Sequence, residues 1–242
     1  MKKLLIAILL LASANIYAQP WKSIRGDGNV KKETRQVSAF TSLSAHGSLD
    51  VQIAYGNSNS VQVESDDNLL QYIETTVENG KLVIKPKNNI NIKSSSKMTV
   101  YVSMTKINLL EESGSGNIYG DGAFQSDGKT KMSVSGSGNI KLSSGNFDDL
   151  SLYVSGSGRI DLKSGKAKDL NASISGSGNI DCSDVLSENV VAKVSGSGNL
   201  KVNASKSIDA SISGSGNLFY KGTANDVNTK VAGSGRAIKM KS

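Results

Sequence analysis

The short sequence Ser-Gly-Ser-Gly-Asn, or a near variant, begins at Ser113, Ser135, Ser155, Ser175, Ser195 and Ser213, with a decayed copy at Ala232. The steps between copies are 22, 20, 20, 20, 18 and 19 residues. A period near twenty with no helix-like apolar spacing inside it points to a solenoid in which each coil is one turn of β-structure.

Aligned on that motif, the copies share columns. The residue before each Ser-Gly-Ser-Gly is Val134, Val154, Ile174, Val194, Ile212 and Val231. Beyond the glycines come Ile140, Ile160, Ile180, Leu200 and Leu218, then two residues on Leu142, Leu162, Cys182, Val202 and Tyr220. Alternation of period two on both sides of a Gly-rich corner describes two short strands per coil with one face inward. The corner must turn without a Cβ, which Gly136, Gly138 and their equivalents permit, while Ser and Asn bond locally to exposed backbone. The expected architecture is all-β, a parallel β-helix of about 20 residues per coil.

Twenty of the 25 glycines fall between Gly114 and Gly235. The 2 prolines exclude collagen, and 5% aromatics argue against an aromatic-lined cofactor pocket. The start, Met1-Lys2-Lys3 followed by an apolar run over residues 4–12 too short to span a bilayer, reads as a secretory signal with cleavage expected after Ala18. Removing Lys2 and Lys3 leaves 26 basic residues against 21 acids, a mature charge of +5. Cys182, the only cysteine, closes no disulfide within the chain and belongs to an apolar column as inert core.

The expected organisation is a signal peptide over 1–18, a degenerate β section over 19–110 and the regular array over 111–242. In the degenerate section, residues 43–51 superpose on residues 134–142 as a weaker copy of the repeat. Asn68 to Tyr72 suggests a short helix, and Glu78-Asn79-Gly80 a hairpin turn. The stretch over 30–110 is expected to cover one end of the stack and protect its edge.

Gly138-Asn139-Ile140 and its equivalents, behind a signal peptide and a degenerate first half, resemble the bacterial auto-transporter adhesin head domains of the head GIN family. The resemblance implies a right-handed β-helix, export to the periplasm or cell surface, and no established activity. Six residues after Arg236 are far too few for a membrane barrel.

Two outward columns are candidate binding positions. The first is Asn117, Asn139, Arg159, Asn179, Asn199, Asn217 and Arg236. The arginines argue that it reaches solvent, because an unpaired buried charge is costly. Its members either bind a glycan or another flat polar surface, or simply bond local turn backbone. The second column is Tyr119, Lys141, Asp161, Asp181, Lys201 and Phe219. Asp161 and Asp181 are the pair a polysaccharide-active enzyme would need. Flanked by Lys141 and Lys201, they read instead as a solvated salt-bridge ladder, and coils of 18 to 22 residues leave little room for a cleft.

No catalytic residue, metal ligand or cofactor is assigned. His46, the only histidine, is expected in an exposed turn, and calcium would need carboxylates at the corner. Glu112 stands where later coils have Val or Ile, so the first coil is expected to be distorted there, or a partner to satisfy the charge. Residues 113–242 carry 15 Lys and Arg against 11 acids with no aromatic run, which disfavours nucleic acid and favours anionic polysaccharide or lipid headgroups. The reading is an exported, non-enzymatic protein that binds glycan or cell-envelope components, with no transmembrane segment after processing. A polysaccharide-active enzyme and a purely structural, self-assembling envelope element are the alternatives.

Overall fold

A computed structural model of the chain describes residues 22–241; the expected leader over 1–18 lies outside them. Strand accounts for 74% and helix for 3%, arranged as a β-solenoid of about 6 turns of roughly 20 residues. The first half holds β1 (Lys22–Arg25), β2 (Val30–Arg35), β3 (Ser42–Gly47), β4 (Asp50–Tyr55), β5 (Ser60–Asp66), β6 (Ile73–Glu78), β7 (Lys81–Pro86), β8 (Ile90–Lys93) and β9 (Thr99–Met104). The array holds β10 (Leu109–Gly114), β11 (Asn117–Gly136), β12 (Asn139–Gly156), β13 (Arg159–Leu162), β14 (Gly165–Gly176), β15 (Asn179–Gly196), β16 (Asn199–Gly214), β17 (Asn217–Lys221), β18 (Asp226–Gly233) and β19 (Arg236–Lys239).

Coils of the array pair in parallel, and the aligned columns become physical stacks. Val134, Val154, Ile174, Val194, Ile212 and Val231 are successive register partners. The first five are 1–2% exposed. Beside them Ile140, Ile160, Ile180, Leu200 and Leu218 form a second stack through the same interior. Burying these apolar columns against one another is the main stabilising term.

The repeated corner is a relay between coils. Ser157 and Gly158 both donate backbone N–H groups to the Gly136 carbonyl at 2.9 Å, and Arg159 donates to Gly138 at 3.1 Å. Gly156 has φ 110° and a Cβ there would lie 2.6 Å from the Gly136 carbonyl oxygen. Gly158 is required for a different reason: its Cβ would strike the Gly138 carbonyl and a methyl group of Val134. One glycine supplies a left-handed backbone, the other close approach.

The weak N-terminal copy is a true coil. Leu43 opposes Leu110, Gly47 opposes Gly114 and Val51 opposes Ile118. On its other side β3 pairs with β7 and β4 with β9, again in parallel. The coil of β3 and β4 therefore lies between a later segment and the array, so residues 30–110 are more than a cover. The antiparallel strands β2, β5 and β6 complete that end. The β6–β7 turn is the expected hairpin, with positive φ at Asn79 and Gly80, and the expected helix is a 3-10 turn over Asp67–Tyr72.

Asp66 fastens the outermost pieces together. Buried, it accepts bonds from the Ser94 hydroxyl at 2.6 Å, the Ser95 hydroxyl at 2.5 Å and the Gly28 N–H at 2.8 Å. The two serine hydroxyls lead in holding its carboxyl far below the ordinary carboxylate range. At the far end, Val227, Val231 and Ile238 are 37–45% exposed, since no coil covers them among the described residues.

Glu112 corrects an expectation. The first coil is not distorted: Glu112 keeps register with both Val134 and Ala45. Its side chain is 2% exposed, and neither carboxyl oxygen has a hydrogen-bond partner. Burial pushes its pKa up to about 7; the Gly116 N–H offsets this only in part, since it gives its hydrogen bond to the Gly47 carbonyl. His46 is half-buried rather than exposed, with Nε2 3.1 Å from the Ser44 hydroxyl. Cys182 is buried.

Candidate binding face

Strand alternation places every second residue of the Asn-Ile-x-Leu segments on the outside. Two outward rows then run side by side along the solenoid, perpendicular to the strands. The first is Asp50, Asn117, Asn139, Arg159, Asn179, Asn199, Asn217 and Arg236, each the register partner of the next. The second is Gln62, Tyr101, Gln52, Tyr119, Lys141, Asp161, Asp181, Lys201 and Phe219. All seven candidate binding residues from the sequence, Asn139, Arg159, Asn179, Asn199, Asn217, Asp161 and Asp181, fall on this one face.

Within the first row the amides bond to one another between coils, while the column still reaches solvent as its arginines implied. Asn139 Nδ2 donates to Asn117 Oδ1 at 2.6 Å, and Asn117 donates to Asp50 at 2.7 Å. Asn217 donates to Asn199 at 3.1 Å, and Asn199 to Asn179 at 3.2 Å. These amides are half-buried, so the ladder stays wetted on one side. Arg159 interrupts it without burying a charge, because its side chain turns out to solvent.

The second row departs from a solvated charge ladder at Asp161. That carboxylate keeps only 7% of its side-chain exposure, and its nearest cation is Arg159 of the same coil at 3.8 Å. Asp181 pairs with Lys201 at 3.1 Å and accepts from the Ser183 hydroxyl at 2.8 Å. Partial burial raises its pKa, but the Ser183 and Lys201 bonds outweigh that and hold it below the ordinary value. An acid that stays ionised cannot deliver a proton to a leaving group. Among the described residues, no group of three His, Cys, Asp or Glu side chains is close enough to hold a metal ion.

At the N-terminal end of the second row the face hollows into a groove of about 740 Å³. Gln62, Tyr101, Gln52, Tyr119 and Lys141 form a ridge of tall side chains, and two residues along the strands Ser60, Ser103, Ala54 and Ser143 form a shelf of short ones. Asp121, the register partner of Ala54, stands in that shelf as its carboxylate, and Lys163 also lines the groove. Tyr101 is fixed in place: its hydroxyl donates to Glu64 at 2.8 Å and the Lys32 ammonium lies 4.5 Å over its ring. Glu64 pushes the phenol's pKa up, and the Tyr101 and Lys32 bonds hold Glu64 down.

Tyr119 and Lys141 belonged to the outward column read from the repeat, but Tyr101, Gln52, Gln62 and Lys163 did not. The alternation over Thr99 to Val102 marks Tyr101 as outward. Nothing in the sequence says which residue stands beside it.

The family model described as "Putative auto-transporter adhesin, head GIN domain" matches residues 39–224. Among solved structures, a "putative lipid binding protein" from Parabacteroides distasonis is similar at 25% identity and TM-score 0.75, covering 91% of this chain and 100% of that one. A "putative adhesin" from Bacteroides fragilis is similar at 19% identity and TM-score 0.78, covering 90% and 100%. Another "putative adhesin", from Parabacteroides merdae, is similar at 22% identity and TM-score 0.68, covering 91% and 100%. No curated protein matches the chain.

Proposed function

Because the chain belongs to the head GIN domain family of auto-transporter adhesins, we propose that it is an exported, non-enzymatic protein that holds a glycan or another cell-envelope component on its Asn-Ile-x-Leu face. The observation that carries this reading is the row from Gln62 to Phe219, outward except where Asp161 is nearly buried, which lays amide, phenol and charged groups at one strand spacing along the solenoid. Such a surface repeats at the scale of a polymer and offers directional polar contacts without an enclosed cleft. Export is supported by the basic and apolar start of the sequence, and no helix among the described residues is long and apolar enough to cross a membrane. The chain then works in the periplasm or at the cell surface.

Catalysis by Asp161 and Asp181 finds less support, since the first is nearly buried and the second is ion-paired. A second reading, lipid binding, is favoured by the similarity to the "putative lipid binding protein" from Parabacteroides distasonis and by the mostly apolar lining of the groove.

The test is binding of residues 19–242 to a panel of acidic and neutral glycans and to phospholipid vesicles. Retention by glycans, weakened by the double substitution Tyr119→Ala and Lys141→Ala, is expected. Vesicle binding with no glycan binding favours the lipid reading. A cleavage product that disappears in Asp161→Asn with Asp181→Asn overturns the non-enzymatic assignment.

A further inference from the structure

We infer that the groove is the subsite for an extended, acidic polysaccharide with equatorial linkages, lying along the solenoid axis with alternate sugar rings against Tyr101 and Tyr119. This rests on the glycan-binding reading and narrows it to a place, an orientation and a ligand class. The ridge orders its members as amide, phenol, amide, phenol and ammonium through Gln62, Tyr101, Gln52, Tyr119 and Lys141. Tyr101 and Tyr119 are both direct register partners of Gln52, so their backbones are two strand spacings, roughly 10 Å, apart.

That interval is close to one disaccharide of a fully extended, equatorially linked chain. Each strand then meets about one sugar. Pyranose rings present an apolar C–H face and a polar rim, which suits a phenol beside a primary amide. The shelf of Ser60, Ser103 and Ala54 leaves the height for a ring to lie against Tyr101 and Gln52, while beside Tyr119 the row continues with Asp121, an acceptor for sugar hydroxyls.

Charge selects among glycans. Lys141 and Lys163 line the groove against one carboxylate, Asp121, and neither ammonium is ion-paired among the described residues. They meet the carboxylate or sulfate of an acidic sugar where the ridge passes onto the regular coils. An acyl chain fits less well. The accessible lining is mostly apolar, which suits the C–H faces of sugar rings, but the groove is open and would leave much of a lipid tail in water.

The test measures calorimetric affinity of residues 19–242 for size-defined β-1,4 oligomannuronates, for neutral β-1,4 mannan oligomers of equal length, and for anionic phospholipid vesicles. Oligomannuronate affinity should climb with length to about four or five sugars, the span of the ridge, and exceed that of the neutral series. Tyr101→Ala and Tyr119→Ala should each weaken it about tenfold. Lys141→Ala with Lys163→Ala should remove the acidic preference and flatten the salt dependence. Asn179→Ala with Asn199→Ala, a seat on the asparagine row instead, should weaken binding less than either tyrosine variant; Lys193→Ala, exposed on the strand before the corner and outside this face, should change nothing, and circular dichroism checks that every variant folds. Equal binding of acidic and neutral oligomers, no binding of either, or indifference to Tyr119→Ala overturns the inference. Glycan binding that answers only to the asparagine pair overturns the groove but preserves the glycan-binding reading; vesicle binding alone overturns both.

Discussion

Glu112 makes the stability of this protein depend on pH in an unusual direction. Its carboxyl group sits in a column where every later coil has Val or Ile, 2% exposed and with no hydrogen-bond partner for either oxygen. Folding raises its pKa from 4.5 to about 7. Between those values the folded chain keeps a proton that the unfolded chain has released, so stability falls as pH rises through the window and levels off above it. At 1.36 kcal/mol per pK unit the full loss is about 3 kcal/mol.

Glu112→Val removes the titration and restores the residue type of the later coils. Its advantage over the parent should be smallest near pH 4.5 and grow by about 3 kcal/mol by pH 8. Taking the difference between the two proteins at each pH cancels every carboxylate they share. Urea unfolding midpoints at pH 4.5, 6 and 8, with slopes compared to check that the same surface unfolds, supply the measurement. Unfolding curves separated by the same amount at all three pH values would refute the reasoning, because they would mean that Glu112 is ionised in the fold or reaches water.

Three further outcomes are expected. Gly156→Ala, at φ 110° and against the Gly136 carbonyl, should cost about 1–3 kcal/mol and lower the thermal midpoint by several degrees. Gly128→Ala, with no atom within 4 Å of the added carbon, should be close to neutral. Asp66→Ala should release the β1–β8 pair, seen as lost amide-exchange protection over residues 22–30 and 90–96. In the parent the Asp66 contribution is complete above 3.8, the ordinary value for the group, and is lost only as pH falls below it, so that protection should persist through mild acid. The Cys182 thiol donates to the Lys201 carbonyl at 3.2 Å and is pushed to a higher pKa by burial. It should therefore ignore a thiol reagent in the native protein and react once denaturant is added.

The array was legible because each of its columns keeps one kind of side chain at one period, and parallel pairing converts that period directly into contact. Val154, Ile174 and Val194 needed no information from elsewhere in the chain. The N-terminal coil was legible as a coil but not in its place. β3 pairs with β7 on one side and β10 on the other, and no local motif marks which segment returns where. Glu112 was misread because a buried carboxylate was assumed to bend the backbone. Six register partners hold that strand on its β11 side alone, and taking up a proton is easier than breaking them. The asparagine column was legible as reaching solvent, but its inter-coil bonds were not: half-burial satisfies one side of each amide while water serves the other. The groove depends on Gln62, Tyr101, Gln52 and Tyr119 lying together, and four strands, β5, β9, β4 and β11, deliver one each.

The corner relay makes the number of coils an adjustable quantity. Since Gly156 and Gly158 meet the Gly136 and Gly138 carbonyls of the coil before them just as Gly176 and Gly178 meet those of Gly156 and Gly158, excising residues 155–174 would join Val154 to Ser175 with the pattern of inside and outside intact. Evolution by unequal crossing-over can thus lengthen or trim the molecule like a ruler, about 4.8 Å at a time, while the closed N-terminal end and its hollow pass unchanged from one version to the next.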